Sequence, residues 1–232
     1  MEEQRQEEQS ERAHRSILWY FRGYFEDRPG ELRSYYDKPM RLTALTIFFL
    51  ALTLTLTAQR GTPPPAMTLS IPGFPDGGQI PVKFSQAAPG VPVGEGTSPA
   101  MTWANAPAAT QSFVLNMHDM DLARNKTTDD QVHWVVWNIP ATSTGFPEGV
   151  PKGSQMPDGA YQISATGDMY RGPGAPANGP FHHYVFELYA LDTKLDVKPT
   201  ADAFETRAKV IAAIQGHILA KAVYGGLFRR PQ

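Results

Sequence analysis

Three short polar groupings in this chain have side chains that could do chemistry. His118-Asp119-Met120-Asp121 closes one alternating apolar segment, His133 opens a second apolar segment, and His182-His183 opens a third. If those segments are neighbouring strands, two carboxylates and up to four imidazoles converge at one rim. Imidazole donates or accepts hydrogen bonds and titrates near neutrality, and a carboxylate orients its tautomer, so such a cluster suits an anionic ligand. The same residue types can hold zinc or iron with a bound water, which makes a metal-dependent hydrolase built on His118, Asp119, Asp121, His133 and His182 the rival reading. No His-Glu-x-x-His motif supports that rival, and no Gly-x-Ser-x-Gly elbow supports a serine hydrolase. A third reading is a structural or inhibitory protein whose pocket is vestigial. Every residue also has an ordinary explanation: His133 as a hydrogen-bonded core residue, Asp119 and Asp121 as turn formers, His183 at the surface, and His217 in packing or capping.

The segments that must position these groups read mostly as strands. Ser112 to His118 alternates, with Phe113, Leu115 and Met117 on one face. Val132 to Ile139 is apolar on both faces, which predicts a strand at the centre of a sandwich, ended by Pro140. His182 to Leu191 is a third long strand in which His182, Tyr184, Phe186 and Leu188 share a face. That phase desolvates His182, and a desolvated imidazole needs a partner such as an aspartate or a bound anion. Met67 to Ile71 and Ile80 to Phe84 read as short strands between Pro and Gly punctuation. The 42 residues from Pro140 to Phe181 hold 8 Gly and 7 Pro and predict a long irregular connection. From Asp202 to Tyr224 the period changes. Phe204, Ile211 and Ile218 fall seven apart, Asp202 and Glu205 form a capping box, and Gly225-Gly226 supplies a stop, so this segment predicts an amphipathic helix. The fold class is therefore mainly β, a sandwich closed by a C-terminal α-helix.

Composition narrows the classes further. With 21 Lys+Arg against 23 Asp+Glu, a net charge of -2, no global field draws the chain onto nucleic acid. Twelve Phe, nine Tyr and four Trp are enough to build a core. The absence of cysteine excludes disulfides, a thiolate nucleophile, Cys-ligated zinc, iron–sulfur clusters and a lipoprotein cysteine anchor. Residues 1–39 form a polar extension rich in Glu and Arg. Residues 40–58 follow, beginning Met40-Arg41, running apolar from Leu42 to Leu56 with interspersed Thr, and ending Thr57-Ala58. That is the basic, apolar and small-residue order of a secretory signal, with an N-terminal membrane anchor through 42–58 as the alternative. Residues 59–66, with Pro63-Pro64-Pro65, read as a stiff linker. Cleavage exports the remainder to a periplasmic or extracellular compartment, and Met40 then stands where translation would begin, making 1–39 an upstream extension.

In order along the chain, Ser98-Pro99-Ala100-Met101-Thr102-Trp103, Ser112-Phe113-Val114-Leu115 running into Asp119-Met120-Asp121, and His133-Trp134-Val135-Val136-Trp137-Asn138-Ile139-Pro140 form a pattern. It continues with Phe146-Pro147-Glu148-Gly149, Tyr170-Arg171-Gly172-Pro173, and His182-His183-Tyr184-Val185-Phe186 through Leu191-Asp192. This pattern resembles the phosphatidylethanolamine-binding protein (PEBP) family, above all its bacterial Raf-kinase-inhibitor-like branch of the YbhB/YbcL type. The resemblance covers about residues 67–225 of a single domain, 67–232, and implies a β-sandwich with a small pocket at one end for phosphate-like anions or phospholipid head groups. It places Asp119, His133, Tyr170, Gly172, Pro173, His182 and Tyr184 at the ligand, with Asp121 bracing the first motif. It implies no cofactor, no metal and no catalytic residue, and a binding module that regulates an unidentified protein partner. Two imidazole donors and exposed amides at the Gly172-Pro173 turn would then meet the phosphoryl group. N-terminal sequencing of native protein should find a mature terminus near Gln59, whereas peptides from Glu2 to Lys38 in that material would show the extension to be part of the protein.

Overall fold

The computed structural model describes residues 65–232. The polar extension, the apolar run and the linker as far as Pro64 lie outside the described residues.

Among the described residues nine strands make two sheets. β1 (Thr68–Ser70), β3 (Met101–Ala104) and β6 (Gly145–Phe146) pair in the order β1-β3-β6. β2 (Gly78–Gln79), β4 (Ser112–Asp119), β5 (Gln131–Pro140), β7 (Tyr161–Ile163), β8 (His182–Leu191) and β9 (Ile218–Phe228) pair in the order β2-β9-β8-β4-β5-β7. Every pairing is antiparallel except β2 with β9. Among the described residues one α-helix, α1 (Ala203–Ala213), precedes β9.

Alternation of side chains gives the larger sheet two apolar faces. Phe113, Leu115 and Met117 of β4, Trp134 and Val136 of β5, and Tyr184, Phe186 and Leu188 of β8 pack with Leu69, Trp103 and Phe146 of the smaller sheet. On the opposite face Val114, Val132, Val135, Trp137, Tyr189 and Leu191 pack with Ala203, Val210 and Ile214 of the α1 region. Each of the large side chains buried here stabilises the fold by roughly 1.5–3 kcal/mol relative to exposure. The doubly apolar run at β5 thus has the position its composition predicts, because each of its faces meets a different layer. Its indoles are satisfied: Trp134 Nε1 donates to Gln162 Oε1 and Trp137 Nε1 to the Val197 carbonyl, both at 2.9 Å.

Three elements differ from the sequence expectation. Ile80 to Phe84 is not a strand. Pro81, with φ -59°, starts a 3-10 turn over Val82–Phe84, and the Ser85 and Phe84 amides bond back to the Val82 and Pro81 carbonyls. The connection from Pro140 to Phe181 is not wholly irregular, since it contributes β6 and β7. The expected long helix ends at Ala213, and Gly216 takes φ +81°, a turn conformation open to glycine without strain. The remainder becomes β9, which pairs with β8 over ten positions, so long-range hydrogen bonding overrides the local seven-residue spacing. Asp202 does cap the helix, its side chain accepting from the Phe204 and Glu205 amides. Gly225 and Gly226 lie inside β9 and stop nothing.

An ionic cluster ties α1 to the sheet. The Asp130 carboxylate accepts from His118 Nδ1 and Arg207 Nη1. Glu187 accepts from Asn116 Nδ2 at 3.1 Å, the Tyr189 hydroxyl at 3.0 Å and Lys221 Nζ at 2.5 Å, and its Oε2 lies 3.5 Å from His118 Nε2. Burial alone would lower the His118 pKa, but its bonds to Asp130 and Glu187 outweigh that and raise it to about 9. The folded value lies above the unfolded one of about 6.5. Its stabilising contribution is therefore complete below about pH 6.5 and lost as pH rises through about 9. Urea unfolding between pH 6 and 10 should show that decline, and His118→Gln should flatten it.

Candidate functional site

β4 runs antiparallel to both of its neighbours, so its last residue meets the first residues of both. Asp119 stands opposite Gln131 of β5 and Tyr184 of β8. The register of β4 against β5 shifts so that Met117 faces Trp134 while His118 faces Val132, leaving His133 as the additional residue. A bulge of this kind re-aims a side chain. The His133 ring lies edge-on to the Tyr184 ring with centroids 5.0 Å apart, and the His182 ring stacks on Tyr184 at 6.5 Å. Asp119, His133 and Tyr184 are buried, and the His182 side chain is 13% exposed.

Hydrogen bonds fix the protons at this rim. His182 Nδ1 lies 2.8 Å from Asp119 Oδ2, and because a carboxylate only accepts, Nδ1 carries the hydrogen. The desolvated imidazole has found the aspartate its phase called for. Asp119 Oδ1 accepts from the Asp121 amide at 3.0 Å. Asp121 Oδ2 in turn accepts from the His183 amide at 2.6 Å and from His183 Nδ1 at 2.9 Å, so Asp121 braces the chain ends while His183 stays exposed. His133 Nδ1 donates to the Arg171 carbonyl at 2.9 Å. Burial pulls the His133 pKa down to about 4, so the ring is neutral at pH 7.

The loop carrying Gly172-Pro173 forms the wall behind. The Tyr170 hydroxyl donates to the Phe84 carbonyl at 3.0 Å and its ring stands edge-on to Trp134, while burial pushes its pKa up. The Gly172 carbonyl accepts from Gln86 Nε2 at 2.7 Å and its amide donates to the Glu95 carbonyl at 3.2 Å. A Cβ on Gly172 would lie 2.8 Å from the Phe84 carbonyl oxygen, which explains why glycine stands there. The Pro173 carbonyl accepts from the Gln86 amide at 3.0 Å. The Gly174 and Ala175 amides both donate to the Tyr184 hydroxyl oxygen at 3.2 Å. The expected exposed amides at this turn are therefore not found: Gly172, Gly174 and Ala175 spend theirs within the protein, and Pro173 has none.

Of the residues singled out from sequence, Asp119, His133, His182 and Tyr184 meet at the rim, while Tyr170, Gly172 and Pro173 back it. His118 does not join them, because alternation along β4 sends it to the opposite face with Asp130. His217 is exposed and bonds to Asp192 at 2.8 Å. Among the described residues no three His, Asp or Glu side chains are grouped as a metal would require. Sequence reading missed Gln86, a buried side chain that bridges the Gly172 carbonyl and the Gly94 amide. Gln86 carries no local signal, since its role arises from contacts with residues elsewhere along the chain. A cleft of about 530 Å³ opens beside the cluster, lined by Met120, Asp121, His183, Tyr184 and Gly226 among others.

Comparison with known proteins agrees with this fold. The family model described as phosphatidylethanolamine-binding protein matches residues 70–229. A protein of Methanothermobacter thermautotrophicus, named only as a UPF0098 protein, is 38% identical over 166 residues, 71% of this chain and 99% of its own length. LppC of Mycobacterium tuberculosis, which carries a provisional lipoprotein name, is 32% identical over 165 residues, 69% of this chain and 74% of its own. Among solved structures, Escherichia coli YbcL, described as a member of the mammalian PEBP family, superposes with a TM-score of 0.59 at 26% identity, covering 71% of this chain and 99% of YbcL.

Tyr184→Phe should leave the Gly174 and Ala175 amides without their acceptor. A cost of about 1–3 kcal/mol, read from urea unfolding, is expected for stranding buried donors.

Proposed function

The chain belongs to the phosphatidylethanolamine-binding protein family, and from that premise we propose that it is a non-catalytic binding protein for a phosphate-like anion or a phospholipid head group. Asp119, His133, His182 and Tyr184 form the contact surface, Tyr170, Gly172 and Pro173 support it from behind, and Asp121 holds the strand ends. The observation that carries this reading is the Asp119–His182 pair at 2.8 Å. The carboxylate occupies Nδ1, while among the described residues Nε2 has no hydrogen-bond partner and is left for a ligand. The metal-hydrolase reading is weaker because His118, one of its five donors, lies on the other face of the sheet.

Export is the second part of the proposal, with residues 40–58 as signal or retained anchor. The provisional lipoprotein name of LppC supports it, although a cysteine-linked lipid cannot attach to a chain with no cysteine. Among the described residues no helix is long and apolar enough to cross a membrane.

Melting of the purified full-length chain in phosphate-free buffer tests the binding site. Phosphate or phosphoethanolamine at 100 times its dissociation constant should add about 2.7 kcal/mol, a rise of several degrees. His182→Ala and Asp119→Asn should abolish that rise. No rise with either compound in the unmutated protein would overturn the proposal.

A further inference from the structure

On the face of the larger sheet that carries α1, the helix and the strands leave a cleft of about 540 Å³, an ordinary size for a small-molecule site. Phe204, Ala208, Ile211 and Ala212 of α1 make its apolar wall. Its polar floor is Asn116 and His118 of β4 with Glu187 of β8. None of these residues belongs to the rim, and the cleft does not depend on the anion reading made there.

Hydrogen bonds account for most of the polar atoms on that floor. Asp130 accepts from His118 Nδ1 and Arg207 Nη1, and Glu187 accepts from Asn116, Tyr189 and Lys221. Two atoms remain. Asn116 is 5% exposed, and its Nδ2 donates to the Glu187 carboxylate at 3.1 Å, which fixes the amide so that Oδ1 is the atom left over. His118 Nε2 lies 3.5 Å from Glu187 Oε2, too far for a good hydrogen bond. Both Asn116 Oδ1 and His118 Nε2 are buried, and neither has a hydrogen-bond partner among the described residues. Burial would lower the His118 pKa, but the Asp130 and Glu187 carboxylates raise it to about 9, so at pH 7 Nε2 carries a hydrogen. An acceptor and a charged donor, two residues apart on one face of β4, thus stand unsatisfied beside an apolar wall. Buried polar atoms left in this state are costly to a fold, and they mark where a partner belongs.

The surrounding charges restrict that partner. An anion approaching His118 Nε2 meets Asp129, Asp130 and Glu187, and it leaves Asn116 Oδ1 unpaired. A cation at Asn116 Oδ1 meets the charged His118 ring and Arg207, and it leaves the Nε2 hydrogen unpaired. A neutral head that accepts one hydrogen bond and donates another satisfies both atoms, and carboxamides and alcohols have this property. We propose that the cleft between α1 and the sheet is a second ligand site, for small neutral molecules that carry a carboxamide or hydroxyl head on an apolar body. The head bonds His118 Nε2 and Asn116 Oδ1, and the body lies against Phe204 and Ile211.

NMR titration of the full-length chain at pH 7, observing the imidazole nitrogens of isotope-labelled histidine, tests this with five aromatic probes of similar size. The His118 signal is identified by its loss in His118→Gln, and the His182 signal by its loss in His182→Ala. Benzamide or benzyl alcohol should shift the His118 signal and leave that of His182 in place, and whichever binds more tightly identifies the preferred head. Benzoate and benzylammonium should bind about tenfold more weakly, and acetophenone, which accepts but does not donate, should be weaker than benzamide. Charged probes that bind as well as the neutral ones, or a response at His182 instead of His118, would overturn the proposal. So would a failure of all five probes, the result expected if water alone meets the two atoms. Ala208→Trp alters an exposed position on the wall and should block the benzamide response in a folded protein, whereas a response that survives it places the ligand elsewhere and rejects the site. Asn116→Leu should remove the preference for benzamide over acetophenone, which a loss of stability alone would not do. A preference retained in that variant would also count against the proposal, and if the variant does not fold, the probe series and Ala208→Trp decide.

Discussion

The site depends on one constraint, the placement of β4 between β5 and β8 with both neighbours antiparallel to it. In that arrangement the chain leaving β4 must lie beside the chain entering β5 and the chain entering β8. Asp119, His133 and His182 are far apart in sequence, yet each occupies one of those three ends. The strands are held there by buried apolar side chains on both faces, so the polar rim is a consequence of a core that does not include it. Its groups are partly desolvated for the same reason. Each must then find a partner, and the Asp119–His182 and His133–Arg171 bonds are the result.

Two neighbouring residues of β4 show how strand geometry separates chemistry. Asp119 faces the smaller sheet and joins the rim. His118 faces α1 and is captured between Asp130 and Glu187, where it links the helix to the sheet through Arg207. The two imidazoles are driven in opposite directions. Two carboxylates hold His118 charged, while His133, bonded to a carbonyl and nearly enclosed, is held neutral. Residue type alone does not distinguish them.

The loop with Gly172-Pro173 shows the same economy of donors. Its amides close onto Tyr184 and Glu95, and its carbonyls close onto Gln86. The loop is braced by Gln86, a side chain about 86 residues away along the chain. The loop's backbone is thus spent within the protein, and Arg171 is a half-buried cation near Asp119 and Tyr184.

The sequence by itself determined the long strands and the phase of each, because a two-residue period and a doubly apolar run have few other solutions. That was enough to put His182 on the apolar face with Tyr184, to end one strand at Asp119, and to recognise the family pattern across the domain. Local spacing was not enough where distant hydrogen bonds compete with it. Residues 218–228 carry a helical stripe up to Ile218 but become β9, since β8 offers a full ladder of partners and Gly216 ends the helix. Likewise Pro81 turns a β-like run into a 3-10 turn. Only the tertiary structure decided which of the imidazoles meet, which nitrogen of each holds the proton, and that the loop amides are already spent. Those properties depend on backbone carbonyls and amides brought in from other segments, and a side-chain pattern contains no record of them.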